Sequence, residues 1–429
     1  MKRQRSLVIA FIVAALGLAV ACDVTLHTGK VGSACAEGLT GCGNDAFTRC
    51  LDLQNDSSHC GACDNACAPG IACVMGMCQQ VACTASVTVS NQTLPETIGE
   101  GGAGPQGVLL ADVNCDGHPD LVTWDGSGKV YVALGEVGGG FGAASLYEQV
   151  GVQRLTVVDW NGDGCDDLYS GVEAIWMGHP DGKLTLTTIS HDDWDASEPI
   201  VADLNGDGNM DLVARTLSDP GVSVFLADAY GAFHDGSPLP VTRNNVPLRV
   251  RDWNGDGFPD VLTTTPMWEG LSVCLNKGNG TFEDEMECAV YVGWGTVFAD
   301  FNHDGQMDMA YSGGGNSVEV LMGMGGCQFS PVTEYPLSGI IYELAYADMD
   351  GDGIDDLVAA SNDGKIYLLR GAQDGTFQAN LLQSGATCTA ACWLLVGDVT
   401  ADGKPDLVTA GLDTDGTPQS VKLVENTCQ

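Results

Sequence analysis

Positive charge is what this chain has least of. Its 429 residues include 17 Lys and Arg against 57 Asp and Glu, a formal net charge of −40. That balance repels nucleic acid and anionic membrane surfaces, so neither is an expected partner. Beyond residue 20 no apolar run is long enough to cross a bilayer as a helix. No stretch keeps a helical spacing of apolar residues, which excludes a helical bundle. Catalytic signatures are missing as well. There is no G-x-S-x-G elbow, no phosphate-binding Walker loop and no dinucleotide fingerprint. The seven histidines, among them His118, His179 and His303, form no H-x-x-x-H pair. The chain therefore reads as a non-enzyme.

The N-terminus carries its own signal. Lys2, Arg3 and Arg5 precede the apolar run 7–20 and the small residues Ala19-Val20-Ala21, so residues 1–21 read as a secretory signal peptide. Cys22 follows directly and resembles the cysteine of a bacterial lipobox. That resemblance implies lipidation at Cys22, with membrane contact through this lipid alone. The location would be the cell envelope, at the outer surface or in the periplasm; plain secretion is the alternative. Export makes disulfides the expected state of the other cysteines, of which the chain has 18 in all. Residues 22–34 form a short tether. Residues 35–82 hold eight cysteines with few large apolar residues, a segment that needs staples because it can bury little core. Its Cys50-Leu51-Asp52-Leu53, Cys60-Gly61-Ala62-Cys63, Gly70-Ile71-Ala72-Cys73 and Gly76-Met77-Cys78 resemble the stigma-specific-type cysteine-rich module. The pairing among the eight stays open.

From residue 83 onward a pattern of the form D-x-[N/D/T]-x-D-G-x-x-D occurs seven times. The first aspartates are Asp112, Asp159, Asp203, Asp252, Asp300, Asp348 and Asp398, spaced 44 to 50 residues apart. A fixed period in this range marks one supersecondary unit repeated. Around the first loop the unit reads as four short strands: 108–111, 121–123, 129–134 and 141–150. Four antiparallel strands repeated seven times predict an all-β fold, a seven-bladed β-propeller over residues 83–429. The last repeat has no outer strand of its own. The segment Ala85-Ser86-Val87-Thr88-Val89-Ser90 is the expected substitute. It would close the ring and cover an open strand edge, placing Cys83 near Cys428 for a bridge.

The loop spacing presents oxygen at positions 1, 3, 5 and 9, a donor set that suits calcium. Without a cation, two carboxylates 4 Å apart repel by on the order of 4 kcal/mol at an effective dielectric near 20. Glycine at position 6 permits the sharp turn. The loops resemble the FG-GAP/VCBS repeats of integrin α-subunit propellers and bacterial surface proteins. The resemblance implies up to seven calcium ions. The implied ligands begin with Asp112, Asn114, Asp116 and Asp120, then Asp159, Asn161, Asp163 and Asp167, then Asp203, Asn205, Asp207 and Asp211. They continue with Asp252, Asn254, Asp256 and Asp260, and with Asp300, Asn302, Asp304 and Asp308. Asp348, Asp350, Asp352 and Asp356 form the sixth set, and Asp398, Thr400, Asp402 and Asp406 the seventh. The Thr400 hydroxyl is the weakest donor, so the seventh loop is expected to bind least tightly. The family's Phe-Gly landmark survives in pieces, as Phe141-Gly142-Ala143, Gly280-Thr281-Phe282 and Gly375-Thr376-Phe377.

Three further disulfides are expected. Cys274 and Cys288 flank a hairpin tip, Cys388 and Cys392 bracket a short loop, and Cys115 and Cys165 lie in neighbouring acidic loops. Cys327 is left over as a thiol. Trp160 and Trp253, at position 2 of their loops, are expected to pack between blades. The function this reading supports is a calcium-stabilised scaffold that binds a protein or glycan partner in adhesion or envelope organisation. A lectin, or an enzyme acting on polysaccharide, is the competing class.

Overall fold

The computed structural model describes residues 105–426 apart from short loop segments. Within residues 1–104 it describes the strands Thr40–Cys42, Arg49–Leu51, Ala72–Val74, Met77–Gln79 and Thr88–Ser90. Cys22, the pairings within residues 35–82, and the Cys83–Cys428 and Cys388–Cys392 bridges fall outside what is described. The chain divides into two compact units, residues 1–79 and 80–429. The first contains two small antiparallel hairpins, 40–42 with 49–51 and 72–74 with 77–79.

The second unit is a seven-bladed β-propeller, and no helix occurs among the described residues. Blade one runs Pro105–Ala111, Asp120–Asp125, Lys129–Ala133 and Ser145–Glu148, each strand pairing with the next. The following blades repeat that order, and the second strand of every blade starts on the ninth residue of its acidic loop: Asp120, Asp167, Asp211, Asp260, Asp308, Asp356 and Asp406. Blade seven is closed from the other end of the chain. Thr88–Ser90 pairs antiparallel with Lys422–Glu425, in the register Leu423↔Ser90, Val424↔Val89 and Glu425↔Thr88. The ring is therefore held by main-chain bonds between its two ends.

First strands lie against one another around the centre, as Trp294–Ala299 does against Ile341–Ala347, and Ala391–Gly397 against Pro105–Ala111. The core is correspondingly divided. Each of seven buried apolar clusters sits between two adjacent blades. This explains the sequence pattern: second and third strands are buried on both faces, so they read as unbroken apolar runs such as Leu121-Val122 and Leu357-Val358-Ala359-Ala360. Outer strands are exposed and polar, as in Thr185–Thr188.

Position 2 of each acidic loop supplies an apolar knob to the next interface. Trp160 stacks edge-on with Phe233 of blade three, Trp253 with Phe329 of blade five, and Phe301 with Phe377 of blade six, at centroid distances of 5.9, 6.2 and 5.6 Å. Val113 meets Leu184, Leu204 meets Phe282, and Val399 meets Phe141 in the same way. The phenylalanine landmark is thus fuller than the sequence reading allowed. Phe233 and Phe329 belong to it, and the missed signal was an aromatic 29 or 30 residues after the first loop aspartate.

Among the described residues, two disulfides join neighbouring blades. Cys115–Cys165 links the first and second acidic loops, with Cα atoms 4.6 Å apart. Cys288 pairs with Cys327 across blades four and five, at 4.8 Å. That pairing corrects two expectations. Cys274 does not bridge to Cys288 and is a buried free thiol, and Cys327 is not left over. The reason is register. Cys288 stands opposite Leu271, so Cys274 lies three residues further along and on the opposite face of the sheet. Cys274 packs toward blade three and Cys288 toward blade five. Burial pushes the Cys274 thiol up to about 12, which keeps it protonated.

Candidate metal centre

The seven acidic loops share one geometry. The position 1 carboxylate accepts the N–H of position 5 at 2.9–3.2 Å and that of position 6 at 2.8–3.0 Å in every loop, Asp112 through Asp398. The position 5 carboxylate accepts the N–H of position 7 at 2.8–3.0 Å. In the first five loops the position 3 Asn donates its amide to the position 5 carboxylate at 2.8–3.0 Å. Together these bonds curl the loop around its own side-chain oxygens.

The curl needs left-handed backbone at two places. Position 6 is always glycine, with φ between 82° and 88°. Position 4 is left-handed too: Gly162, Gly206, Gly255 and Gly351 stand there in four loops, while Cys115, His303 and Ala401 occupy it at φ 55°, 56° and 55°. These three are the non-glycine residues with positive φ among the described residues. A Cβ in that region costs on the order of 1 kcal/mol. Ala401→Gly is therefore expected to raise stability by about 0.5–1 kcal/mol. Urea unfolding of the two proteins reads this directly, and an unchanged or lower midpoint would show that Ala401 carries no strain.

Position 9 does more than the spacing suggested. Its aspartate is fully buried in all seven blades. One oxygen accepts an N–H from the start of its own loop, at position 2 in the first six loops and from Thr400 in the seventh, at 2.8–3.1 Å. The other accepts an N–H at or just past the end of the third strand, from Gly135, Gly178, Ala227, Asn276, Gly323, Gly371 and Asn426 in turn, at 2.6–2.8 Å. The carboxylate therefore pins the loop to the third strand of its own blade. Close approach is essential at Gly371, where a Cβ would stand 2.4 Å from the Asp355 carbonyl oxygen.

Burial, more than neighbouring carboxylates, raises these position 9 groups. Asp120, Asp167 and Asp308 are pushed up to about 6 and Asp356 to about 7, and Asp211 and Asp260 are raised as well. Neighbouring loops also touch. The Asp112 N–H donates to the Asp166 carboxylate at 2.7 Å, and the Asp166 N–H returns a bond to the Asp112 carbonyl at 2.9 Å.

As a donor set the loops are all oxygen, and positions 1, 3 and 5 are half-buried or exposed, which suits a hard divalent cation. The sixth loop gathers the most charge: single carboxylate oxygens of Asp348, Asp350 and Asp356 lie within 4.8 Å of one another. The seventh departs in another way: the Thr400 hydroxyl is turned to Asp406, at 3.0 Å, where the first five loops direct an amide to position 5. Cys115, Asp163 and Cys165 also cluster, but the two sulfurs are joined to each other.

Comparison with known proteins places this architecture. The chain has no match among curated proteins. Solved structures similar to it include BBS1N in complex with ARL6DN, soaked with lead, at 13% identity and a TM-score of 0.48 over 75% of this chain and 92% of that one. The Dos1 propeller is similar at 10% identity and a TM-score of 0.48, over 76% and 78% of the two chains. The biofilm matrix protein Bap1 of V. cholerae matches at 15% identity with a TM-score of 0.25, over 75% and 68%. These likenesses are too distant to speak to function. A family model described as FG-GAP-like repeat matches residues 112–170, 252–311, 300–358 and 348–409, together half of the sequence. The chain belongs to the FG-GAP-like repeat family.

Proposed function

We propose that this protein is an exported, non-enzymatic interaction scaffold whose propeller is held together by calcium. The observation that carries the reading is the convergence of Asp348, Asp350 and Asp356 in a loop whose design recurs seven times. Carboxylates so close repel as they ionise; Arg370, 3.6 Å from Asp350, and a proton held on Asp356 offset part of that charge, and a divalent cation would offset the rest. Calcium bound there would supply charge neutralisation and hold the loop ends; its ligands would be the oxygens at positions 1, 3, 5 and 9. Nothing in that role calls for substrate chemistry. The propeller then offers its faces to a protein or glycan, with the N-terminal segment and a lipid on Cys22 tethering it to the envelope.

Titration calorimetry on chelator-treated protein tests the first half. Uptake of several calcium ions per chain, with dissociation constants of about 10⁻⁴ to 10⁻³ M or tighter, supports it. No uptake at millimolar calcium would end it. A glycan array and a surface-protein panel, probed in calcium and again in chelator, test the second half. Binding that disappears with calcium supports the scaffold reading, and turnover of any polysaccharide on the array would replace it with an enzyme.

A further inference from the structure

The central channel holds a feature unrelated to the acidic loops. A cavity of about 430 Å³ opens among the first strands of blades four to seven. Its walls include the half-buried Val297, Tyr346, Leu395 and Val396, and one wall carries two arginines, Arg249 and Arg251. Both arginines are exposed, in a chain with only 17 basic residues.

Their placement is singular. They stand three residues and one residue before the first aspartate of the fourth loop. At the same two places the other blades carry Leu109 and Ala111, Thr156 and Val158, Ile200 and Ala202, Val297 and Ala299, Ala345 and Ala347, or Leu395 and Gly397. Blade four alone brings charge to this ring. Regular pairing of Arg249 with Leu262, Val250 with Val261 and Arg251 with Asp260 puts both side chains on one face of the strand. Two guanidinium groups on one face of the strand concentrate positive charge beside apolar walls, which favours an anion there. Guanidinium groups bind carboxylate and phosphate in a two-pronged fashion. Arg249 is also engaged by the protein's own groups, which leaves Arg251 as the main anchor.

We infer that the channel is a binding site for a small amphipathic anion: a carboxylate or similar head on the arginines, with an aromatic or aliphatic body against the half-buried Tyr346, Leu395 and Val396. The volume suits such a molecule, since ligand sites commonly measure about 300–1,000 Å³ and combine apolar walls with a few polar groups. The inference stands whether or not the loops hold calcium.

Naphthoate, followed by calorimetry, is the probe, with neutral naphthalenemethanol as its control. One naphthoate is expected per chain. Arg251→Gln should weaken it at least about tenfold, the loss of a charge-assisted bond, with an unchanged thermal midpoint. Arg249→Gln should weaken it less, and naphthalenemethanol should bind far more poorly than naphthoate. A second variant, Ala345→Phe, fills the cavity from another wall and should abolish binding. Naphthoate affinity that survives Arg251→Gln would overturn the site, as would no binding at millimolar naphthoate.

Discussion

Removing calcium at pH 8 is expected to lower the melting temperature by on the order of 10 °C or more. At a tenfold excess over its dissociation constant, one site adds about 1.4 kcal/mol, and seven independent sites about 10 kcal/mol. That is comparable to the whole stability of a domain. The pH dependence sharpens the test. A carboxylate whose folded pKa is raised binds more protons folded than unfolded. Its contribution to stability is complete below the ordinary value near 4 and is lost as pH rises through the folded value. For Asp120, Asp167 and Asp308, raised to about 6, and Asp356, raised to about 7, that window runs from about pH 4 to 7. Asp207, lowered by the N–H of Asn209, works in the opposite sense, but its window lies below its ordinary value. Calcium-free protein should therefore melt at steadily lower temperature from pH 5 to 8. Calcium competes with protons for the same oxygens, so its stabilisation should grow over that range. The two melting curves should diverge with pH. A chelated protein whose melting temperature is flat or rising between pH 5 and 8, or is unaffected by calcium at pH 8, would remove calcium from the account of stability.

The second large effect is expected at position 9. Asp356→Ala, measured by urea unfolding in chelator, should cost about 2–6 kcal/mol. The variant strips the partner from the buried N–H of Met349 and the partly buried N–H of Gly371, and each unmet group costs about 1–3 kcal/mol. Chelator matters because it separates this clamp from any loss of a metal ligand. Asp352→Ala is the control: its carboxylate accepts the single N–H of Ile354 at a half-buried site, and it should cost clearly less. Equal and small losses for the two variants in chelator would show that position 9 serves calcium alone.

These two expectations divide along what could be read in the sequence. The seven loops, their period and the all-β ring follow from local information. A D-x-N-x-D-G turn closes on itself through bonds spanning two to five residues, as between Asp252 and the N–H groups of Asp256 and Gly257. Alternation and turn residues mark the strands without any knowledge of the partner blade. The closing strand at 88–90 was legible for a topological reason, since a last repeat without an outer strand needs one from elsewhere.

What stayed hidden depends on atoms far apart in the chain. Position 9 looked like a fourth oxygen ligand; its bond to a third-strand N–H about 15 residues away appears only once the blade is folded, as between Asp356 and Gly371. Cys274 and Cys288 looked like a hairpin pair, but strand register puts them on opposite faces, and Cys327 arrives from the next blade. Position 4 hid its left-handed backbone in three loops because Cys115, His303 and Ala401 are not glycine. Arg249 and Arg251 were two unremarkable basic residues until seven first strands met around an axis and left them on one wall of the channel. The sequence by itself determined the repeat, the loop chemistry and the number of blades, because each is encoded within one unit of about 50 residues. The tertiary structure decided which cysteines meet, what the buried aspartates hold and where the scarce positive charge points. Those outcomes belong to the interfaces between units, and no single repeat contains them.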